Sequence, residues 1–324
     1  MRLMIAVVII CSADRISLAE PETSINDLLA EISGTRIKTT IEKLVSFETR
    51  DIRSETSSPR RGIGAARNWI LSEMKTYGPR LAVESRTWHV AVPQLGELDV
   101  QNVVAVLPGT TNPSAQIVIS AHYDSSSFRD PESPAPGADD DGSGTAAVME
   151  LARVLSRYEF DKTLVFMLFA GEEYGLLGSK KEAERAKSTS AVIEAVLNND
   201  IIGNDAPAGQ SDVTVNVFGG NIRDSPSQKL AGLIQGVGEI YVPALRVVPV
   251  PQPDRPFRGG DQMSFQAQGF TAVRFTSPYE VVANQHNTND TLEHMSVAYT
   301  ARVTQLNAAT AAVLAGVHAR AGGR

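Results

Sequence analysis

The sequence holds one cysteine, Cys11, in 324 residues. It can form no internal disulfide, so a disulfide-stapled scaffold is excluded, and the chain must be held by its core, which this length permits. A basic excess is also missing: 30 Lys and Arg stand against 37 Asp and Glu, a formal charge of −7. Nucleic-acid binding requires a cationic footprint to neutralise phosphates, so that class is disfavoured, as is adsorption to an anionic membrane surface. Acidity alone names no substrate, because a cluster of metal-binding carboxylates and a plain solvated surface both contribute to it. There is no internal repeat, low-complexity tract or long linker, and 42% hydrophobic with 21% charged residues excludes a disordered chain.

The apolar run at residues 3–10 is too short to span a bilayer as a helix. Arg2 precedes it, and Ser17-Leu18-Ala19 follows with small residues at the first and third places. This is the charged, apolar and cleavage pattern of a secretory signal, with processing expected after Ala19. The mature chain, residues 20–324, would then be one catalytic domain with a helical N-terminal part, exported outside the cell or to a periplasm, without stable membrane insertion. The competing readings are an N-terminal strand or buried helical turn, and lipidation of Cys11, against which the large Ile10 stands.

Apolar spacing places helices within residues 25–77, with a polar loop at 54–59. Strands are expected at 81–90, 100–107, 116–122, 163–169, 195–201, 213–218, 245–250 and 270–275. Helices are expected at 142–158, 176–187 and 226–237, with a long closing helix over 292–319. Strands alternating with helices imply an α/β fold: a mostly parallel, mixed central sheet flanked by helices on both faces. Ligands of such sheets bind outside the carboxyl ends of the strands.

Those ends carry the informative residues. His122-Tyr123-Asp124-Ser125 follows one strand, and the loop Pro136-Gly137-Ala138-Asp139-Asp140-Asp141-Gly142-Ser143-Gly144 leads into a helix. Gly171-Glu172-Glu173-Tyr174-Gly175 follows a second strand, and Asn198-Asn199-Asp200 ends a third. His286-Asn287-Thr288-Asn289-Asp290-Thr291 lies in the last loop. Each segment alone has a bland reading: a core histidine, a solvated acidic pair, a helix cap. Gly142-Ser143-Gly144 is no phosphate loop, because no Gly-Lys-Ser/Thr follows. Together they form a His/carboxylate set without thiolate, suited to zinc and also to cobalt or manganese. His122, Asp140, Glu173, Asp200 and His286 supply enough ligands for two ions, and Glu172 is left over as a base. Two ions close together can polarise a carbonyl and lower the pKa of water between them.

In that order, these segments resemble the motifs of the co-catalytic di-zinc aminopeptidases, a family that includes bacterial leucyl aminopeptidases and the glutamate carboxypeptidase group. The resemblance runs from about Asn102 to the C-terminus, and the N-terminal part is similar to secreted bacterial members. It implies a zinc-exopeptidase fold and two Zn²⁺ per chain. His122 and Asp200 would hold one ion, Glu173 and His286 the other, with Asp140 bridging. Glu172 would be general base and acid, and Asp124 would orient the His122 ring. Asp139 and Asp141 are expected to be solvent or loop-capping groups. The substrates implied are peptides with a free N-terminus. Ile201 is a candidate lining residue for the first pocket, and Tyr279 a candidate donor to the oxyanion, each with packing as the competing reading. The chain departs from many relatives at Gly260-Asp261-Gln262, where they have Ser-Asp-His, which puts pocket shape and loop support in question. Two alternatives remain: a glutaminyl cyclase on the same scaffold, which needs one zinc, and a peptide-binding relative that has lost catalysis.

Overall fold

A computed structural model describes residues 19–93, 95–205, 213–251 and 259–320. The expected signal segment therefore lies outside the described residues, except for Ala19, where the first helix begins. Three helices open the chain: α1 (Ala19–Ala30), α2 (Gly34–Val45) and α3 (Gly62–Met74). Ile37, Ile41 and Leu44 fall on one buried face of α2, and Ser33 caps it by accepting from the Arg36 amide. A long hairpin follows, β1 (Ala82–Val92) and β2 (Gly96–Leu107), and then β3 (Asn112–His122) and α4 (Gly142–Leu155). Next come β4 (Tyr158–Phe160), β5 (Lys162–Phe169), α5 (Leu177–Ser188), β6 (Val192–Asn199), β7 (Thr214–Phe218), α6 (Pro226–Tyr241) and β8 (Arg246–Val250). The chain closes with α7 (Gln262–Ala267), β9 (Ala272–Thr276), two 3₁₀ turns, α8 (Val297–Ala315) and β10 (Val317–Arg320).

Eight strands form one sheet in the order β1-β2-β5-β3-β6-β9-β7-β8. The β5-β3-β6-β9 centre and the β7-β8 pair are parallel, whereas β1-β2, β2-β5 and β7-β9 are antiparallel. The expected mixed, mostly parallel α/β sheet is thus what the chain forms. Both faces are buried, and β5 shows how: Leu164, Phe166 and Leu168 join the largest core cluster while Val165, Met167 and Phe169 join a second. Among the described residues, no helix is long and apolar enough to cross a membrane.

Several expectations are corrected. The closing segment is not one helix over 292–319. A 3₁₀ turn at Leu292–His294 precedes α8, which Ser296 caps, and Gly316 in the left-handed region (φ 71°) ends it. β10 then turns back to pair with β4, which also takes Tyr158 out of the preceding helix. The short α7 was not expected at all; it has too few turns to leave a periodic apolar pattern.

Candidate metal centre

Ser120 on β3 is in register with Met167 on β5 and with Asn198 on β6, so these three strands end side by side. Each delivers its next polar residues to one edge: His122 from β3, Glu172 and Glu173 just past β5, and Asp200 just past β6. The chain passes from β3 to β5 on one side and then from β5 across to β6 on the other, the strand-order reversal at which open α/β sheets form sites. Asp140 arrives from the loop before α4, and His286 from the loop between the two 3₁₀ turns. Asp140, Glu172, Glu173, Asp200 and His286 line a cleft of about 340 Å³. His122 is 1% exposed and contacts two of them.

Among the described residues, two groups of donors could each hold an ion. His122, Glu172 and Asp200 form one; Asp140, Glu173 and His286 form the other, with the donor atoms of each group within 4.8 Å of one another. Asp140 links the groups. Its Oδ1 lies 3.3 Å from His122 Nε2, and its Oδ2 lies 3.2 Å from His286 Nε2. One carboxylate therefore addresses both positions through separate oxygens, as a bridging ligand can. Asp200 Oδ1 is 3.9 Å from His122 Nε2, and Glu173 Oε2 is 3.0 Å from His286 Nε2. The adjacent Glu172 and Glu173 face different positions.

The site is rich in buried carboxylates. Burial, reinforced by Asp140, lifts Glu173 to about 7, and burial also holds Glu172 well above the usual carboxylate range. Burial opposes charge on His286, yet Asp140 and Glu173 outweigh it and raise the imidazole to about 10. Burial of Asp140 is likewise overcome by hydrogen bonds to His122 and His286, which lower its pKa. Glu173 Oε1 is buried without a hydrogen-bond partner. A buried carboxylate oxygen left unmatched is costly unless a cation meets it. The nitrogen and oxygen donors, free of thiolate, thus fit two zinc-type ions.

The supports of this site come from motif residues and from residues far outside the motifs. Asp124 does meet His122: its backbone oxygen and Oδ1 lie 3.2 and 3.4 Å from Nδ1. It also accepts from the amides of Glu172 and Glu173, at 3.3 and 3.4 Å. Asp141 caps α4 by accepting from Gly144 and also receives the His122 amide; Asp139 accepts from Gly203. Capping was expected of these two aspartates, but both are buried rather than solvated. Asp290, quoted in the last motif without a role, accepts from the amides of Asp139 and Asp140. Arg50 is fully buried and donates to the carbonyls of Tyr123, Pro136 and Gly137, tying down the loop that carries Asp140. Nothing in the sequence around Arg50 marks it.

Arg274 had a visible signal, a lone charge inside the apolar strand β9. It is 4% exposed, and its Nε stands 3.2 Å from Asp200 Oδ2, an ion pair rather than an aligned hydrogen bond. Gly260 allows this approach, since a Cβ there would come within 2.5 Å of Asp200 Oδ2. Beyond Arg274 and Met263 the cleft adjoins a second cavity of about 250 Å³, walled by Phe218, Gln262, Gln266, Thr276 and Glu280 among others. Gln262 thus lines this cavity. Ile201 lines the cleft rather than this cavity, and Tyr279 lines neither. Four of the seven non-glycine residues with positive φ among the described residues (Phe128, Leu176, Ile201 and His286) line the cleft. Strained backbone gathered in this way is typical of functional sites.

Comparison with known proteins agrees with this geometry. The family described as "Peptidase family M28" matches residues 102–311, well over half of the chain. A protein of Pyrenophora teres f. teres named "Probable zinc metalloprotease" is 36% identical over 90% of this chain and 68% of its own length. Among solved structures, the Legionella pneumophila LapA aminopeptidase superposes with a TM-score of 0.72 at 21% identity, covering 94% of this chain and 78% of that one. A glutaminyl cyclase from Macrostomum lignano also reaches 0.72, at 15% identity and with coverage of 95% and 96%. At these identities the superpositions establish the fold alone. The expectation of a bacterial-type member does not follow from the sequence matches, because the curated relatives at 31–36% identity are fungal.

Proposed function

The chain belongs to peptidase family M28, and on that premise we propose that this zinc metalloprotease is an aminopeptidase releasing the first residue of peptides with a free N-terminus. The observation that carries the reading is Asp140 placed between two histidines, each with its own carboxylate. His122 and Asp200 would hold one ion, Glu173 and His286 the other, and Asp140 both. Zinc bound there supplies a Lewis acid for the scissile carbonyl and a lowered pKa for water. Glu172 lies in the cleft wall and takes a proton from the attacking water as the C–O bond forms. It returns that proton to the leaving nitrogen as the C–N bond breaks. Asp124 holds the His122 ring and the Glu172-Glu173 backbone in place. The cavity beyond Arg274 takes the first side chain: an apolar cavity of about 150 Å³ already holds benzene, and this one is larger, at about 250 Å³.

Glutaminyl cyclisation is kept as the second reading because the fold matches such an enzyme equally well. The two donor groups weigh against it, since that chemistry needs one ion. A binding protein without catalysis would be expected to lack a ligand or Glu172, and neither is missing. One experiment separates all three. Metal-loaded protein is given a peptide with a free N-terminus, its N-acetylated form, and a peptide beginning with glutamine. Release of the first residue from the free peptide alone is expected. Cyclisation without hydrolysis, or cleavage of the acetylated peptide at the same rate, would overturn the proposal.

A further inference from the structure

Phe128 is a large apolar side chain that is 51% exposed. A single exposed apolar residue is ordinary, and this one is notable only for how it is held. Its backbone lies in the left-handed region at φ 53°, which a bulky residue seldom adopts without being forced there. The constraint is visible. Ser126 Oγ accepts the Phe128 amide at 2.9 Å and donates to Asp51 Oδ2 at 3.1 Å. Tyr174 donates to the same Asp51 oxygen at 2.6 Å, and Arg53 holds Asp51 through two contacts of 2.8 Å. The Phe128 ring then meets Tyr174 edge-on at 5.8 Å and His286 at 4.8 Å. A network anchored in the N-terminal helical region thus fixes an exposed ring on the wall of the cleft, beside His286.

The two ends of the cleft differ. Arg274 and Met263, at the Asp200 end, open into a more enclosed cavity large enough for one side chain. Phe128 stands at the His286 end, open to solvent. An enzyme that removes one residue needs a bounded space on one side of the bond and an open path on the other. We infer that Phe128 is a specificity-determining residue that contacts the second residue of the peptide, just beyond the cleaved bond, and selects for an apolar or aromatic side chain there. This rests on the aminopeptidase reading and goes beyond it by assigning the leaving side.

The test uses the full metal-loaded protein with three dipeptides sharing one well-cleaved first residue and carrying Gly, Leu or Phe second. The readout is the ratio of kcat/KM for the Leu and Phe peptides over the Gly peptide, which a loss of folded or metal-loaded enzyme leaves unchanged. In Phe128→Ala this ratio is expected to fall about tenfold, the usual worth of a lost apolar contact in a specificity pocket. Phe128→Leu is expected to retain part of it. An unchanged ratio in Phe128→Ala, whatever happens to absolute rates, would overturn the inference. Absence of hydrolysis of all three dipeptides by the native protein would instead overturn the aminopeptidase reading.

Discussion

Glu172 and Glu173 are neighbours in sequence but fall in different donor groups, and it is Glu173 that closely meets an imidazole, through Oε2 at 3.0 Å from His286. Their proposed roles differ accordingly. Glu173→Ala removes a donor and is expected to weaken binding of one ion as well as abolish turnover. Glu172→Gln is expected to keep both ions while kcat falls by about 10²–10⁴, the usual contribution of a general base. Metal analysis and steady-state kinetics on the two variants check this together. A Glu172→Gln protein with near-native kcat, or one that loses an ion while Glu173→Ala keeps both, would reverse the assignment. The motif spacing marked both glutamates as candidates, as it did His122, Asp140, Asp200 and His286, because ligand chemistry is carried by residue type. Arg50 and Phe128 carry no such mark, and the lone charge of Arg274 in an apolar strand shows only that it needs a partner. Which distant carbonyl, carboxylate or ring each one meets is not encoded in any local pattern.

The central strands were legible as elements because burial on both faces gives continuous apolar runs such as Thr163-Leu164-Val165-Phe166-Met167-Leu168-Phe169. Where the chain changes element within a few residues, the pattern misleads. The segment after residue 292 is apolar enough to extend a helix, but Gly316 stops α8 and releases β10 to pair with β4. A Cβ at Gly316 would demand an unfavourable left-handed conformation and would overlap the carboxylate of Asp161. Gly316→Ala is therefore expected to destabilise the fold by about 1–2 kcal/mol or more. It should leave metal stoichiometry unchanged, since Gly316 abuts Asp161 at the start of β5, the end opposite the one that leads to Glu172 and Glu173. Denaturant unfolding beside metal analysis measures both, and an unaltered midpoint would show that the cap contributes little.

The whole molecule gathers most of its buried acids around one sheet edge, whereas Glu150 and Glu182 are paired with arginines elsewhere, so its stability is expected to depend on the ions that neutralise that cluster. The native protein is expected to bind close to two zinc-type ions per chain and to lose activity with a chelator. Occupied sites should raise stability by mass action, about 2.7 kcal/mol for one site at a hundredfold excess over Kd. Calorimetry with and without chelator checks this, and full activity in thoroughly demetallated protein would refute the metal reading. Export is proposed from the sequence alone: the mature chain is expected to begin at Glu20. Mass spectrometry of protein from an exporting host would reveal an intact Met1 or a lipid on Cys11 if the proposal is wrong.

The sequence by itself determined the class of sheet and the candidate donor types and their order, because apolar periodicity and donor chemistry are local properties that survive reading in one dimension. Tertiary structure decided what those residues face. It set the Asp140 oxygens between His122 and His286, aimed Glu172 and Glu173 at different positions, and brought Arg274 against Asp200. It also carried Arg50 and Asp51 from the N-terminal region behind a site built on strands far along the chain, where they brace its loops. The physical reason is range: burial pattern and ligand type are fixed within a few residues, whereas charge pairing and backbone strain at the cleft arise only when segments distant in sequence are packed together.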